Sequence, residues 1–299
     1  MNKKIKKYLF DKKYRTVVHS VLGMYNKMSD EEFLKKRFEA TIDYKLNLEN
    51  PRTYNEKLQW LKLNERKNIY TTMVDKYKVR EYIKEKLGEE YLIPLIGVWN
   101  NPDEIDFSKL PNKFVLKCNH NSGLGMCICK DKSKLNISKV KKELKKGMKQ
   151  DYYLTGREWP YKNVERKIIC EKYMEDKKEK ELRDYKFYCF NGKVEFVMIN
   201  SDRFSDDCTK ADYFDKNYNL LDLKWGPERS KEPPKKPEKY EEMCNIAEKL
   251  SKDLKHIRVD LYYVNGKIYF GELTFFDGSG FDKIEPIEWD YKLGELIKL

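Results

Sequence analysis

The sequence predicts an α+β protein in which antiparallel, β-rich stretches follow a mainly helical N-terminal region. Two Asn-Gly pairs predict the sheets. Asn191-Gly192 lies between DYKFYCF and KVEFVMI, and Asn265-Gly266 lies between IRVDLYYV and KIYFGEL. Asn-Gly between apolar, β-branched and aromatic runs is the strongest short-range hairpin signal. Ahead of them, residues 1–87 carry helical spacing and helix-start signals.

In chain order, residues 1–25 read as one basic amphipathic helix. Packing on the body or solvation is the expected fate of that helix, with peripheral contact to an anionic membrane surface as the alternative. Ser29-Asp30-Glu31-Glu32 starts the next helix. Thr53 opens another, with Glu56 completing a capping box. Ile69 to Leu87 reads as a third helical region ending at Gly88, and residues 91–99 as a short strand. Residues 113–130 read as two antiparallel strands around Asn119-His120-Asn121-Ser122-Gly123-Leu124-Gly125, with Lys117 just before the turn. Such a turn offers backbone N–H groups and a cation to phosphate oxygens, although an ordinary hairpin loop has the same pattern. It is neither a P-loop nor a dinucleotide fingerprint, because no helix follows its glycines. A lysine-rich helix over 137–150, an aromatic loop over 151–165 and a strand over 167–174 follow. Residues 200–238 are expected to form a long loop over the site, and 240–254 an amphipathic helix. The expected divisions are a basic helical extension (1–45), an N-terminal α/β lobe (46–110), a small lobe (111–183) and a C-terminal lobe (184–299).

The chain has 299 residues, enough for a sizeable core, with 37% charged and 40% hydrophobic residues and no apolar run of membrane-spanning length. Asp11, Lys12, Lys13 and Arg15 interrupt the N-terminal apolar stretch, which argues against a secretion signal. The seven cysteines have no framework spacing, as expected of free thiols in a reducing cytoplasm, and the single Cys127-x-Cys129 pair does not predict zinc. A net charge of +12 calls for an anionic partner, but solvated lysine-rich helix faces account for much of it.

The stretch IRVDLYYVNGKIYFGELTFFDGSG (257–280) is where chemistry concentrates. Asp260, Glu272 and Thr274 are all-oxygen donors suited to Mg²⁺, with a solvated hairpin as the plainer reading. A two-residue turn pairs Asp260 with Gly271 and sends Glu272 to the other face. A three-residue turn with Gly266 in a G1 bulge puts both acids on one face, and this is the expected register.

Five blocks, PRTYNEKLQW (51–60), DKYKVR (75–80), FVLKCNHNSG (114–123), DYKF (184–187) and GELTF (271–275), then occur in a specific order. Over residues 45–290 the chain resembles the ATP-grasp superfamily, which includes D-alanine–D-alanine ligase. More narrowly it resembles the TupA-like branch associated with teichuronopeptide and surface-polysaccharide biosynthesis. The resemblance implies an ATP-grasp fold whose two lobes clasp ATP. Lys117 and, from an earlier position, Lys76 would bind phosphates, and the loop of Asn119, His120, Ser122, Gly123 and Gly125 would close over them. Glu171, Lys172, Tyr173 and Met174 would form the adenine-facing segment, and Glu181 would bind the ribose. Asp184 and Lys186 would lie near nucleotide or acceptor. Arg258 would stabilise developing charge, with Arg203 and Lys210 from the long loop as further catalytic candidates. Asp260, Glu272 and Thr274 would hold Mg²⁺, Thr274 standing where the superfamily usually has asparagine.

The implied activity is a cytoplasmic, ATP- and Mg²⁺-dependent carboxylate–amine ligation through an acyl phosphate. Its partners would be ATP, an acidic glycan or glycan precursor, and an amine or amino acid. A glycan kinase and a polysaccharide-locus glycosyltransferase are the enzymatic rivals. Nucleic acid is not an expected partner, because the aromatics fall mostly on apolar strand positions.

Overall fold

The computed structural model describes residues 3–177, 182–201 and 209–299. Helices α1 (Lys3–Phe10), α2 (Lys12–Val21), α3 (Asp30–Thr41), α4 (Tyr54–Asn64), α5 (Ile69–Val74) and α6 (Val79–Lys86) come first. Then follow β1 (Leu95–Trp99), β2 (Phe114–Cys118), β3 (Met126–Cys129), α7 (Ile137–Lys149), α8 (Tyr153–Gly156) and β4 (Ile168–Lys172). The remainder holds β5 (Asp184–Phe190), β6 (Lys193–Ser201), β7 (Lys210–Asp215), β8 (Lys224–Trp225), α9 (Tyr240–Ser251), β9 (His256–Val264), β10 (Lys267–Thr274), β11 (Ile284–Glu285) and α10 (Ile287–Leu296). The fold is α+β. A four-stranded antiparallel sheet has the order β1-β4-β2-β3, and a five-stranded one the order β10-β9-β5-β6-β7.

Local chemistry explains the helix boundaries. Ser29 and Thr53 each close a capping box, with Glu32 and Glu56. Two helices expected to be continuous are broken by aspartates. Asp11 accepts from the Tyr14 amide and so starts α2 afresh, dividing residues 1–25 into two helices. Asp75 accepts from the amides of Tyr77 and Lys78, separating α5 from α6. The second break matters for the site, because it turns Lys76 out of the helical path.

The stretch 46–110 is divided between the sheets. Helices α4 to α6 share the main core with the large sheet, whereas β1 joins the small one. Helix α9 covers one face of the large sheet, burying Met243, Ala247 and Leu250 in the same core. The other face is aromatic towards one end, where Tyr54 meets Trp225 at 5.2 Å and Tyr188 stacks on Phe196 at 4.3 Å between centroids. Towards the other end it is charged.

The described part of residues 200–238 does not form the expected loop over the site. β7 closes the large sheet at the edge opposite β10, and β8 pairs with β11. Tyr218 stacks on Phe214 at 4.2 Å and donates to the carbonyls of Pro234 and Lys235, which fastens the proline cluster to that edge.

His256 makes the fold sensitive to acid. It is buried in the aromatic half, with Nδ1 facing the Cys189 carbonyl at 3.0 Å and Nε2 facing the Tyr54 hydroxyl at 2.8 Å. The carbonyl can only accept, so Nδ1 carries the proton and Nε2 accepts from Tyr54. Burial holds this imidazole down to about 4 from an ordinary 6.5. Between those values the unfolded chain binds the extra proton, so stability is present above pH 6.5 and is lost as pH falls towards 4. The loss amounts to about 3 kcal/mol. Urea melts from pH 7 to 4.5 should show this slope, and His256→Gln should flatten it.

Candidate active site

The charged end of the large sheet is built by register. Glu272 on β10 pairs with Asp260 on β9, which pairs with Lys186 on β5, while Thr274 pairs with Arg258 and Arg258 with Tyr188. Direct partners project from the same face of a sheet, so these side chains converge. The expected three-residue turn is not what achieves this. Val264 pairs with Lys267 around a two-residue turn, with Asn265 at φ 49° and Gly266 at φ 80°. A bulge at Gly271, between Phe270 and Glu272, restores the two acids to one face. A Cβ at Gly271 would lie 3.0 Å from the Asp260 carbonyl and 3.1 Å from the Tyr262 ring. Gly271→Ala should therefore shift Glu272 relative to Asp260 and lower kcat/KM for ATP by about a hundredfold, the scale set by a 1 Å misplacement. Steady-state kinetics on the folded variant would measure this.

Arg258 is the hub of the cluster. Its Nε and one terminal nitrogen grip Asp260 at 2.7 and 2.8 Å, and the same terminal nitrogen reaches Glu272 at 3.0 Å. Its other terminal nitrogen donates to Asp277, which also accepts from the Tyr188 hydroxyl at 2.5 Å. Lys186 bridges Asp184 at 2.7 Å and Asp260. Burial pushes the Asp260 carboxyl up, more than Arg258 and Lys186 pull it down. Burial also works against Glu272, but Lys76, Arg258, Lys186 and Lys117 outweigh it and hold that carboxyl down at about 2. Glu272 is therefore an anion at every working pH.

The small sheet supplies cations. Lys117 on β2 contacts Glu171 on β4 at 2.7 Å, and Arg80 on α6 meets the other oxygen of Glu171 at 3.3 Å. Lys76 joins the two halves. Its ammonium donates to the Asn121 carbonyl at 2.7 Å and lies 3.8 Å from Glu272. Asn119 fixes this arrangement, donating to Asp75 and the Glu165 carbonyl and accepting from the Lys167 amide, all within 2.9 Å. Asn119 is thus a buried strut that ties the turn bearing Lys76 to the end of β2.

The glycine loop has an exposed tip at Ser122, Gly123 and Leu124, where Gly123 takes φ 79° and a side chain at that position would meet nothing within 4 Å. Gly125 is a packing requirement instead, since a Cβ there would lie 2.8 Å from Gly147 on α7. His120 is not at the tip. It is buried beneath the loop, donating from Nε2 to the Gln150 carbonyl at 3.2 Å, and burial lowers its pKa.

The remaining sequence candidates divide. Glu171 and Lys172 are committed to the sheet, and the chain leaves β4 into Tyr173 and Met174. The segment beyond is clipped to the β9–β10 turn, where the Asn265 side chain donates to the Glu175 carbonyl at 3.0 Å. Lys210 is not brought to the site. It pairs with Ser201 on β6, three strands from β9, and projects from the face opposite Lys186, because Met198 pairs with Tyr213 while Ser201 pairs with Lys210. Glu181 and Arg203 lie outside the described residues.

Sequence reasoning gave no role to Asp277, Lys62 or Glu158. The turn Asp277–Gly280 follows β10 and is held from α4. Gln59 donates to the carbonyls of Ser279 and Gly280, and buried Lys62 donates to those of Gly156 and Ser279, both at 2.7 Å. Burial pulls Lys62 down to about 7, and Ser279 donates to buried Glu158. The available signal was the conjunction of NEKLQW with DGSG, which local reading treats as two unrelated elements.

No group of three or more His, Cys, Asp or Glu is gathered into a metal cage among the described residues. The donors present still fit a hard cation. Glu272 is ionised and partly open, with the Thr274 hydroxyl 3.4 Å from it. Asp260 stands directly across, but both of its oxygens are held by Arg258 and Lys186, so one of those cations must yield before it can ligate.

The family model for TupA-like ATP-grasp proteins matches residues 56–298. The chain belongs to the TupA-like ATP-grasp family. This ATP-grasp chain is accordingly an ATP-dependent enzyme of ligase type. No curated protein matches the sequence. Among solved structures it is similar to D-alanine–D-alanine ligase from Helicobacter pylori, at 15% identity and a TM-score of 0.44, covering 82% of this chain and 69% of that one. It is also similar to D-alanine–D-alanine ligase from Bacillus anthracis complexed with ATP, at 19% identity and a TM-score of 0.42, covering 68% and 55%. A D-cycloserine synthetase matches at 14% identity and a TM-score of 0.42, covering 76% and 71%.

Proposed function

We propose that this ATP-grasp enzyme joins a carboxylate to an amine by way of an acyl phosphate, and that the carboxylate belongs to an acidic surface polysaccharide or its precursor. The observation that carries the reading is the pairing of two clusters. Lys76 lies 3.8 Å from Glu272, and Lys117 is near enough to help hold that carboxyl down, while Lys117 and Arg80 both pair with Glu171. Phosphoryl transfer depends on positioning and charge neutralisation, and this is a site of charges without a nucleophile. Its nearest thiols are inert, since burial pushes Cys118 up to about 11 and Cys170 to about 12.

In this reading Lys117 and Lys76 neutralise the triphosphate beneath the exposed tip of the glycine loop. Glu272, with Asp260 and Thr274, would hold Mg²⁺, which supplies further neutralisation of phosphate oxygens. The substrate carboxylate oxygen bonds to the γ-phosphorus as the bond to the β-phosphate oxygen breaks. The amine then bonds to the acyl carbon, phosphate departs and the amine loses a proton. In the same reading Arg258 would stabilise charge developing on the phosphoryl group or acyl centre. The net charge of +12 suits an acidic glycan.

The test supplies ATP, Mg²⁺, uronate oligosaccharides and hydroxylamine, with a nucleotide sugar added in a parallel reaction. A hydroxamate on the glycan, with ADP formed in equal amount, supports the ligase. A phosphate ester on a sugar hydroxyl without hydroxamate overturns it in favour of a kinase. Consumption of a nucleotide sugar without ADP formation overturns it in favour of a glycosyltransferase.

A further inference from the structure

The N-terminal helical pair has no part in the site, and its surface is both apolar and basic. Tyr8 reaches His19 at 2.9 Å, and Arg15 donates to the carbonyls of Tyr8 and Leu9. In a continuous helix residues 8 and 19 would stand roughly 16 Å apart, so α1 folds back along α2. The inner side is fastened to the body. Arg37 on α3 donates to the Val17 carbonyl at 3.1 Å and to Ser20 at 2.7 Å, and Arg157 donates to the Tyr25 carbonyl at 2.9 Å.

The outer side is apolar and basic together. Ile5, Leu9, Phe10, Val21, Leu22 and Met24 are between 52% and 77% exposed. Single exposed apolar residues need no explanation, but six within twenty positions do. Residues 3–27 also contain eight Lys or Arg against one acid, Asp11, which is spent as the cap of α2. Phe10 ends α1 at the corner between the two helices.

We infer that this pair is a docking surface for an anionic phospholipid bilayer, with Phe10, Leu9 and Leu22 entering the acyl boundary and the lysines meeting headgroup charge. Charge selects this occupant. A second copy would bring the same cations face to face, and nucleic acid offers nothing to cover Phe10 and Leu22. The surface lies outside the segment matched to the family, residues 56–298, and the inference does not rest on the proposed reaction. No helix of the described residues is long and apolar enough to cross a membrane, so the contact is peripheral.

Flotation of the full chain with vesicles tests it. Vesicles of equal phosphatidylcholine and phosphatidylglycerol should bind the protein at least ~10-fold more tightly than phosphatidylcholine alone, with the difference shrinking in high salt. Phe10→Glu with Leu22→Glu should lose binding to both kinds of vesicle. Lys6→Gln with Lys7→Gln should weaken only the anionic ones. Thermal stabilisation by ATP should remain as in the parent protein, showing that the body is folded. Equal partition to both vesicles, unchanged binding by either variant, or a lipid-free dimer abolished by Phe10→Glu would each overturn the inference.

Discussion

Glu272→Gln should keep its fold and lose ATP turnover by a hundredfold or more, about the scale of several kcal/mol expected when a carboxylate that would hold Mg²⁺ against a transferring phosphoryl group is removed. The substitution preserves shape and deletes the anion. In the parent protein that anion is opposed by Lys76 at 3.8 Å and Arg258 at 3.0 Å, and it remains ionised down to about pH 2. Protonation therefore cannot mimic the variant at any usable pH. The carboxylate is about one-third exposed, so its pairs are partly screened and the melting temperature should fall by only a few degrees. The measurements are ADP release and a thermal melt on one sample. Turnover within about threefold of the parent would remove Glu272 from the site and with it the reading of this hairpin as the acidic grip.

Arg258→Met should cost more stability than any other single change in the site. Arg258 is buried and engages Asp260, Glu272 and Asp277 at once. Methionine fills much of the volume but leaves those acids facing one another, with Lys186 and Lys76 the nearest remaining cations. Removing one partner of a buried charge network costs about 3–5 kcal/mol, against a total of about 5–15 kcal/mol for a typical domain. The pH dependence identifies the cause. Asp260 is already held above its ordinary range by burial, and losing Arg258 raises it further. A carboxyl raised in the folded state destabilises once pH exceeds its unfolded value, so the deficit of the variant should narrow as pH falls towards the ordinary carboxylate range. His256 drives the parent in the other direction over the same range, which separates the two effects in urea melts. Arg258→Lys should recover part of the stability but little activity, because a lysine cannot present a fork to three carboxylates.

The aspects of the fold that were legible from sequence are those decided within a few residues. Asn191-Gly192 and Asn265-Gly266 form hairpins because both positions take positive φ at little cost. Thr53 with Glu56 makes a capping box because the partners are three residues apart. The family blocks likewise brought Lys76, Lys117, Asp260 and Glu272 under consideration in the right order. The breaks at Asp11 and Asp75 were also local, but the apolar periodicity running through them was the louder signal.

Elsewhere the sequence was ambiguous because the deciding interaction is distant. The face of Glu272 hangs on a bulge at Gly271, whose need for glycine comes from a carbonyl on the neighbouring strand. Lys210 has the right chemistry for catalysis, and pairing with β6 turns it to the wrong face. Glu171 reads as part of an adenine-facing segment, while its side chain meets Lys117 and Arg80 from two other elements. The sequence by itself determined the turns, the caps and the kind of chemistry the chain carries. Tertiary structure alone decided which charges meet, since side-chain direction alternates with every strand residue and a single-residue shift in register exchanges one set of neighbours for another.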